Sequence, residues 1–430
     1  MSQVTTCLSR ACSAGVLLLS LQAPAWALHD DAPVHGAPLT FDEAGRLALA
    51  ITPALRAQAA SAQAAAQDAI ADGQLPDPRL VAGLNELPVT GRDAFDLRRD
   101  GDTDIMLGVE QDIPRAAKRR LLTQRGERAA SLAQTLLEAQ RLQVRRAAQL
   151  AWLDVYMPIA QQRLLDAQIV EAGNELAAQD IAYRAGRARQ ADLLAARVEL
   201  ELLRDRQRNY VQMQAHGRNQ LTRWIGDAAW RPLPQALPDW PAPAPQAALL
   251  ERLRKHPQLA VMQGEAELVQ SDIALARQNY KPDWSVGINY GYRPEFADML
   301  SLQVGMDLPF FTRKRQDRRL AASQARLESA EGRRDDLLRE LEAQLRLNEH
   351  DWRQLQSRQQ LYVQDILPQA EARIEAARSA YAAGAGEFNG ILTGRRALLE
   401  VRMQLLELQL DAARHRIELD YLAPAAARQE

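Results

Sequence analysis

A regular run of mostly apolar residues, spaced alternately by three and four, extends from position 338 to position 366. No proline interrupts residues 318–366. An average spacing of about 3.5 residues makes α-helices wind around one another with a left-handed supercoil. The sequence therefore predicts a long coiled-coil helix with the inner positions Leu338, Leu341, Leu345, Asn348, Trp352, Leu355, Gln359, Tyr362 and Ile366.

Two further stretches have the same helical character. The last helix continues the spacing through Leu399, Met403, Leu406, Leu410, Ala413 and Ile417. Residues 116–182 form a less regular run, in which Pro158 predicts a kink because proline lacks the amide hydrogen that a helix uses. At a rise of 1.5 Å per residue, a helix of about 60 residues is roughly 90 Å long. Such helices predict a rod or a tunnel, and a soluble coiled-coil scaffold would explain them equally well.

The pattern changes to alternation in two stretches, residues 283–292 and 299–308. Apolar residues on one face alternate there with small or polar ones such as Ser301 and Gln303. Alternation over about ten residues is typical of a membrane β-strand with one face to lipid and one to a lumen. The predicted lipid-facing residues are Trp284, Val286, Ile288, Leu300, Leu302, Val304 and Met306. A weaker strand pair is predicted at about 79–112, and ordinary solvent-backed hairpins remain the alternative for both pairs.

Four strands are too few to close a barrel, and even eight leave room only for packed side chains. A conducting lumen therefore requires several chains to pool their strands. Three chains would supply 12 strands and four would supply 16, and the strand count leaves both numbers open.

The chain repeats itself. Pro53 is matched by Pro257, and the segment YRAG at 183–186 is matched by YAAG at 381–384. Each half has the order helix, strand pair, long helix, helix, which predicts two similar units side by side. The predicted division is a signal peptide at 1–27, a first repeat at 28–230 with strands at about 79–112, and a proline-rich linker at 231–247. The division ends with a second repeat at 248–423, which has strands at about 283–308, and a C-terminal tail at 424–430.

The amino-terminal segment predicts export. Residues 1–27 contain Arg10, an apolar stretch at 14–21 and a small-x-small ending at 25–27, which together form a secretory signal peptide. Both cysteines, Cys7 and Cys12, lie inside this segment. The mature chain is therefore predicted to lack disulfides, thiolate metal sites and cysteine nucleophiles.

Composition and motifs argue against catalysis and nucleic-acid binding. The formal net charge is −2, which gives no electrostatic reason for a nucleic-acid partner. Glycine-rich phosphate loops and nucleophile elbows are absent from the sequence, so no enzyme activity and no cofactor are predicted. The histidines and aspartates at 29–35 lack the fixed geometry of a metal site. The patch at 349–351 is predicted to be a solvated helix surface.

Two segments resemble a known family. Residues 366–371 read ILPQAE and lead into AYAAG at 380–384, and residues 308–314 read LPFFTRK. Their order behind a signal peptide, in two repeats, resembles the TolC family of outer-membrane efflux proteins over almost all of the mature chain. The basic proline-aromatic segment at 308–314 is similar to that of the heavy-metal-efflux branch.

The resemblance implies a fold that is mainly α with a small β part. Long antiparallel coiled-coil helices would form an α-barrel in the periplasm, and four strands per chain would contribute to a trimeric 12-stranded barrel in the outer membrane of a Gram-negative bacterium. It implies a passive conduit, with heavy-metal cations as favoured substrates and organic compounds as alternatives. The implied partners are two further copies of the chain, a periplasmic adaptor protein, an inner-membrane efflux pump and outer-membrane lipid.

The resemblance also implies which residues act. The adaptor-facing hairpin tips would contain Tyr183, Gly186, Arg187, Tyr381, Gly384 and Gly386. An acidic ring at the tunnel constriction would use Asp192, whereas the equivalent position in the second half is Gly390, so that Glu387 would have to substitute. Two simpler interpretations remain open: the glycines are helix caps, and Asp192 forms a salt bridge with Arg187 or Arg189.

A different class of protein also fits part of the sequence. A periplasmic coiled-coil adaptor or scaffold would explain the long helices and the signal peptide. It would not explain why two strand pairs with an apolar face stand at matching positions in both halves.

Overall fold

The computed structural model describes residues 37–424. The predicted signal peptide, the histidines and aspartates at 29–35 and most of the predicted C-terminal tail lie outside these residues. The first half of the described chain contains four α-helices, two strands and a short 3₁₀ turn at Gly226–Trp230. These elements are α1 (Phe41–Ile51), α2 (Pro53–Ala71), β1 (Arg79–Asn85), β2 (Asp104–Ile113), α3 (Ala116–Arg184) and α4 (Gln190–Ile225).

The second half repeats this order after a segment, residues 231–245, that contains no helix or strand. A 3₁₀ turn at Thr312–Lys314 and a π-helical turn at Tyr362–Ile366 interrupt its helices. The remaining elements are α5 (Gln246–Leu253), α6 (Pro257–Gln278), β3 (Trp284–Tyr292), β4 (Met299–Met306), α7 (Gln316–Leu361), α8 (Leu367–Ala382) and α9 (Phe388–Leu422). The predicted fold class, mainly α with a small β part, is confirmed. None of the described helices is long and apolar enough to cross a membrane.

The long helices behave differently at their two internal prolines. Pro158, where the sequence predicts a kink, is buried and does not end α3, which continues through it as a single helix of 69 residues. At Pro368 the helix geometry does change. Proline lacks the amide hydrogen, so the carbonyl four residues earlier has no helical hydrogen-bond partner. The π-helical turn directly before Leu367 widens the helix at this point, and α8 begins there.

The predicted coiled-coil face of α7 and its continuation points inward. All nine positions from Leu338 to Ile366 in the three-four spacing are buried or half-buried, and Leu341 and Leu345 are fully buried. Their contacts lie mainly with α6, α9 and α5. The spacing therefore predicts the packed face correctly.

The surface prediction for residues 349–351 is wrong at Glu349, whereas His350 is exposed as predicted. Glu349, expected on a solvated face, is only 3% exposed and forms an ion pair with Arg353. Glu349 follows the buried Leu345 by one helical turn, which places it at the margin of the packed face. The burial of this carboxylate is balanced by the neighbouring guanidinium.

A single four-stranded antiparallel sheet has the order β1-β2-β3-β4. Strands β2 and β3, from the two halves of the chain, pair at its centre, with Val109 opposite Ile288. Strands β1 and β4 lie at the two edges, and neither has a second partner among the described residues. The two halves thus meet in one sheet with two open edges.

The core of the molecule surrounds Trp152 of α3. Its indole Nε1 donates a hydrogen bond to the carbonyl of Leu39 at 2.9 Å, and its ring stacks on Tyr156 at 5.3 Å. Phe41 of α1 packs edge-on against the same indole at 5.7 Å. These contacts fix the short helices against the middle of the long ones.

Candidate functional site

The sheet has one apolar face that is open to its surroundings. Leu300 is 77% and Leu302 is 71% exposed, and they lie opposite Tyr290 and Ile288 on β3. Alternation along the strand directs every second side chain to this face. The predicted lipid-facing residues Trp284, Val286, Ile288, Leu300, Leu302, Val304 and Met306 all share it, with Val286 half-buried and the other six exposed.

The opposite face of the sheet is concave and polar. Two of its lining side chains, Val81 and Met106, are apolar, and the others are the polar Asn85, Asp104, Glu110, Ser285, Asn289, Ser301 and Gln303. Glycines lie between them and allow close approach of the neighbouring strand: a Cβ added to Gly108 would lie 2.7 Å from the carbonyl oxygen of Ile288. One sheet therefore presents an apolar surface on one side and a polar surface on the other.

The two predicted hairpin tips have the same backbone structure. Gly186 has φ +71° and Gly384 has φ +72°, which is the left-handed conformation that favours glycine. The amide of Arg187 donates to the carbonyl of Ala182 at 2.8 Å, and the amide of Ala385 donates to the carbonyl of Ala380 at 2.9 Å. Both turns are thus Schellman caps that end one long helix before the next begins.

The side chains at the two tips differ. Tyr183 and Arg187 are exposed, whereas Tyr381 is half-buried, lies 5.9 Å from Phe388 and accepts a hydrogen bond from Gln179 at 3.3 Å. Gly386 also packs closely, since an added Cβ would lie 3.1 Å from the Cβ of Ala380. The second tip is therefore the more tightly packed of two turns with the same backbone.

The predicted constriction residues lie at the starts of the return helices. Asp192 is in the first turn of α4, where it binds Arg189. Glu387 is the residue that precedes α9. The pKa of the Arg189 guanidinium is raised above its ordinary value, first by its hydrogen bond to Asp192 and its charge, and further by the charge of Glu387. The salt bridge that the sequence left open is thus present, with Arg189 as its cation.

A second set of ion pairs joins the two hairpins above the tips. Arg395 of α9 contacts Glu175 of α3 at 2.6 Å, and Arg396 forms an ion pair with Glu199 of α4. Two further nitrogens of Arg395, Nε and Nη1, are buried without a hydrogen-bond partner among the described residues. No spacing in the linear sequence indicates these pairs, because their partners stand in different halves of the chain.

Within residues 37–424, no group of three or more histidine, cysteine or acidic side chains could hold a metal ion. His256, which lacks ligand spacing in the sequence, instead caps α6, where its ring accepts a hydrogen bond from the amide of Gln258 at 3.2 Å. His29, Asp30, Asp31 and His35 lie outside the described residues.

Known proteins resemble this chain in sequence over the second repeat and in fold over most of its length. Residues 248–423 match the family model described as outer membrane efflux protein. No curated protein sequence matches the chain. Among solved structures, CusC has a TM-score of 0.76 at 16% sequence identity, over 93% of this chain and 96% of CusC. The outer membrane protein VceC from Vibrio cholerae has a TM-score of 0.74 at 19% identity, over 90% of this chain and 96% of VceC. The outer membrane channel CmeC of Campylobacter jejuni has a TM-score of 0.74 at 13% identity, over 89% of this chain and 85% of CmeC.

The described fold is shared with the solved structures of CusC, VceC and CmeC. Residues 248–423 match the outer membrane efflux protein family, which confirms the predicted resemblance to TolC-like proteins over the second repeat.

Proposed function

We propose that this chain forms, as a homotrimer, the passive outer-membrane channel of a tripartite efflux system. The observation that carries the proposal is the sheet with an apolar outer face and a polar concave face, attached to two long helical hairpins. A helix of 69 residues, the length of α3, is about 100 Å long at 1.5 Å per residue. That length fits a tunnel that continues from a membrane pore into the periplasm.

The open sheet edges support the trimer. Unpaired edge strands expose a row of backbone donors and acceptors, and closing a barrel removes such edges. Strand β1 of one copy would pair with β4 of the next, and three copies would supply twelve strands. The division into repeats at 28–230 and 248–423, which places two strands in each repeat, is part of this proposal.

The hairpin tips are the proposed contact with the adaptor and, through it, with the inner-membrane pump. Tyr183, Gly186 and Arg187 form the first tip in this assignment, and Tyr381, Gly384 and Gly386 form the second. The matching Schellman turns support it, because three copies of two equivalent turns would build a ring of six similar tips. The exposed Arg187 and the half-buried Tyr381 make the two kinds of tip chemically distinct.

Asp192 and Glu387 are the proposed constriction. Three copies of each carboxylate around one axis would attract cations and repel anions. Arg189 compensates one of these charges in each chain, whereas Glu387 forms no salt bridge among the described residues. The selectivity of the constriction therefore depends on Glu387 and on how far Arg189 neutralises Asp192.

The proposed cargo is heavy-metal cations, with organic compounds as the alternative. Two features support cations: the carboxylates at the constriction, and the segment 308–314, which resembles the heavy-metal-efflux branch. The polar lining of the concave sheet face, with Asp104 and Glu110 among its side chains, is compatible with the passage of hydrated cations.

The test is fractionation of cells that express the full chain, followed by the native mass of the purified protein in detergent. Outer-membrane location with the mass of three chains is expected. A soluble periplasmic monomer or dimer would overturn the proposal in favour of a coiled-coil scaffold. Cargo is tested separately, by comparing the accumulation of zinc, cadmium, copper and an organic dye in cells with and without the gene. Lower accumulation of the dye alone would contradict the metal assignment and leave the channel intact.

A further inference from the structure

Two phenylalanines protrude from the turn that follows the apolar face. Phe310 is 75% and Phe311 is 85% exposed. They lie four and five residues after Met306, where β4 ends. Leaving two phenyl rings in water forgoes the free energy that burial of their apolar surface would contribute. Their position at the end of the apolar face suggests that the surface covering that face also covers the rings.

The turn itself is anchored to its neighbours. The amide of Asp307 donates to the carbonyl of Asp283 at 3.1 Å. On the other side, Tyr280 donates a hydrogen bond to Asp317 at 2.7 Å, and the side chain of Gln316 donates to the carbonyl of Asn279 at 3.4 Å. The two rings therefore project from a turn that is held at both ends.

Basic residues without salt-bridge partners come directly after the two rings along the chain. Arg313 and Lys314 are exposed, and two more arginines, at 318 and 319, follow in the first turns of α7. Within the described part of the chain, none of these four cations forms a salt bridge. Four cations without carboxylate partners create a local positive potential that an external anion can satisfy.

The equivalent segment of the first repeat binds its first two cations, Arg115 and Lys118, to neighbouring residues of the chain. Lys118 forms an ion pair with Asp283, and Arg115 donates to the side chain of Gln278 at 3.0 Å. No aromatic residue stands between Ile113 and Lys118. The two segments occupy matching places after β2 and β4. The exposed rings and the unpaired Arg313 and Lys314 are therefore features of the second segment and not a requirement of the fold.

We propose that Phe310, Phe311, Arg313 and Lys314 bind phospholipid in the membrane leaflet at this end of the sheet. The rings would lie at the level of the glycerol and upper acyl chains, and the two cations would contact the phosphate. Along the chain the order is apolar strand, aromatic pair, basic pair, which is the order of hydrocarbon, interface and headgroup in a bilayer. The inference rests on the proposed function, which puts the apolar face of the sheet in a membrane.

The experiment uses the full chain purified in detergent, with lipid binding measured by native mass spectrometry. The probes are phosphatidylglycerol and a diacylglycerol with the same acyl chains, which lacks the phosphate. The variants are R313Q/K314Q, which removes the two cations, and F310A/F311A, which removes the rings. The matched control is R206Q/R208Q, which removes two exposed arginines of α4 that also form no salt bridge among the described residues.

The wild-type protein should bind phosphatidylglycerol more tightly than diacylglycerol. In R313Q/K314Q the Kd for phosphatidylglycerol should rise roughly thirtyfold, as expected for two basic residues at a lipid surface, with the Kd for diacylglycerol unchanged. F310A/F311A should weaken the binding of both lipids, and R206Q/R208Q should behave as wild type.

Three results would overturn the proposal. The first is an affinity of R313Q/K314Q for phosphatidylglycerol equal to that of the wild type. The second is complete displacement of that lipid by inorganic phosphate, which would indicate a site for free anions. The third is loss of the trimer in R313Q/K314Q with the lipid bound per chain unchanged, which would assign the cations to a contact between copies. Trimer mass and outer-membrane fractionation of the wild type are measured on the same preparation, so a failure of the channel assignment is distinguished from a failure of the lipid site.

Discussion

Arg189 holds Asp192 with two parallel hydrogen bonds, from Nε at 3.0 Å and from Nη2 at 3.1 Å. The arginine side chain is 66% exposed, whereas the aspartate side chain is 16% exposed. The cation therefore covers the carboxylate at the start of α4. If the two hairpin tips surround a constriction, this pair sets how much negative charge the constriction presents.

Releasing Asp192 should make the channel more selective for cations. The variant R189Q removes the compensating charge, and we expect the cation-to-anion permeability ratio to rise by on the order of a few-fold at low salt, because charges are screened within about 10 Å at 0.1 M. D192N should lower the ratio. The measurement is the reversal potential of the purified protein in a planar bilayer under a KCl gradient.

R187Q is the control for this experiment, since Arg187 is exposed at the same tip and forms no salt bridge among the described residues. The melting temperature of R189Q in detergent should change little, because exposed ion pairs contribute little to stability. Equal ratios for wild type, R189Q and D192N would remove Asp192 from the constriction.

A small side chain at Gly384 should lower the stability of the protein, and a large charged side chain should abolish export. Its φ of +72° is strained for any residue with a Cβ, so G384A should cost about 1 kcal/mol in the free energy of unfolding. G384R should abolish export while the trimer stays intact, because the added Cβ points into open space where an adaptor would dock. Export from cells and native mass in detergent are the two measurements.

The control for Gly384 is G332R on α7, another glycine whose added Cβ would meet no described atom within 4 Å. Its position in a helix interior makes the substitution favourable for helix formation. Full export by G384R would remove the tip from the functional surface. Loss of export in G332R as well would show that the assay responds to any bulky surface arginine.

Aspartates on the apolar face of β4 should prevent stable insertion into the membrane. In L302D/V304D both carboxylates would face lipid, at a cost of a few kcal/mol per chain. The same strand provides the control S301D/Q303D, whose side chains point to the polar concave face. The control should be recovered in the outer-membrane fraction and L302D/V304D should not. Normal insertion of both variants would contradict a lipid-facing role for Leu302 and Val304.

Periodicity predicts the parts of this structure that follow from one element alone. The spacing of Leu341, Leu345 and their neighbours indicates the packed face of α7, since the period of a helix fixes which side chains share a face. The alternation in β4 predicts two faces for the same reason. Which faces meet lipid, and which tips meet an adaptor, remain predictions.

Features that depend on two elements lie beyond what periodicity can predict. Glu349 reads as a charged surface residue in sequence, and its burial depends on the helices packed against α7. The contact between Arg395 and Glu175 joins residues of opposite halves, so that no local spacing reveals it. The resemblance to a known family supplies the missing long-range information for the fold, because it indicates which helices pair.

Gly108 should not accept even one methyl group. An added Cβ would lie 2.7 Å from the carbonyl oxygen of Ile288 and also collide with the side chain of Asn289 on the neighbouring strand. Because the first of these atoms is backbone, the strands would have to separate, and we expect G108A to cost about 1–3 kcal/mol. Thermal unfolding in detergent measures this loss.

Gly287 is the matched control for Gly108. It lies on the same concave face, and the nearest described atom to an added Cβ is 3.7 Å away, at ordinary contact distance. G287A should therefore unfold close to the wild-type temperature. Equal melting temperatures for G108A and G287A would mean that the sheet opens more easily than the register of β2 and β3 indicates.

His256 should make the stability of the helical region depend on pH. The ring is 0% exposed, lies against Tyr421, and burial lowers its pKa below the ordinary value of 6.5. Its neutral form contributes stability that is fully present above pH 6.5 and is lost as the pH falls toward the lowered pKa, with a slope of at most about 1.4 kcal/mol per pH unit. The melting temperature in detergent should therefore fall between pH 7 and pH 5 more steeply in wild type than in H256Q. The control is H216Q, at an exposed site on α4, which should behave as wild type. The same slope in wild type and H256Q would show that another group governs the acid sensitivity of this region.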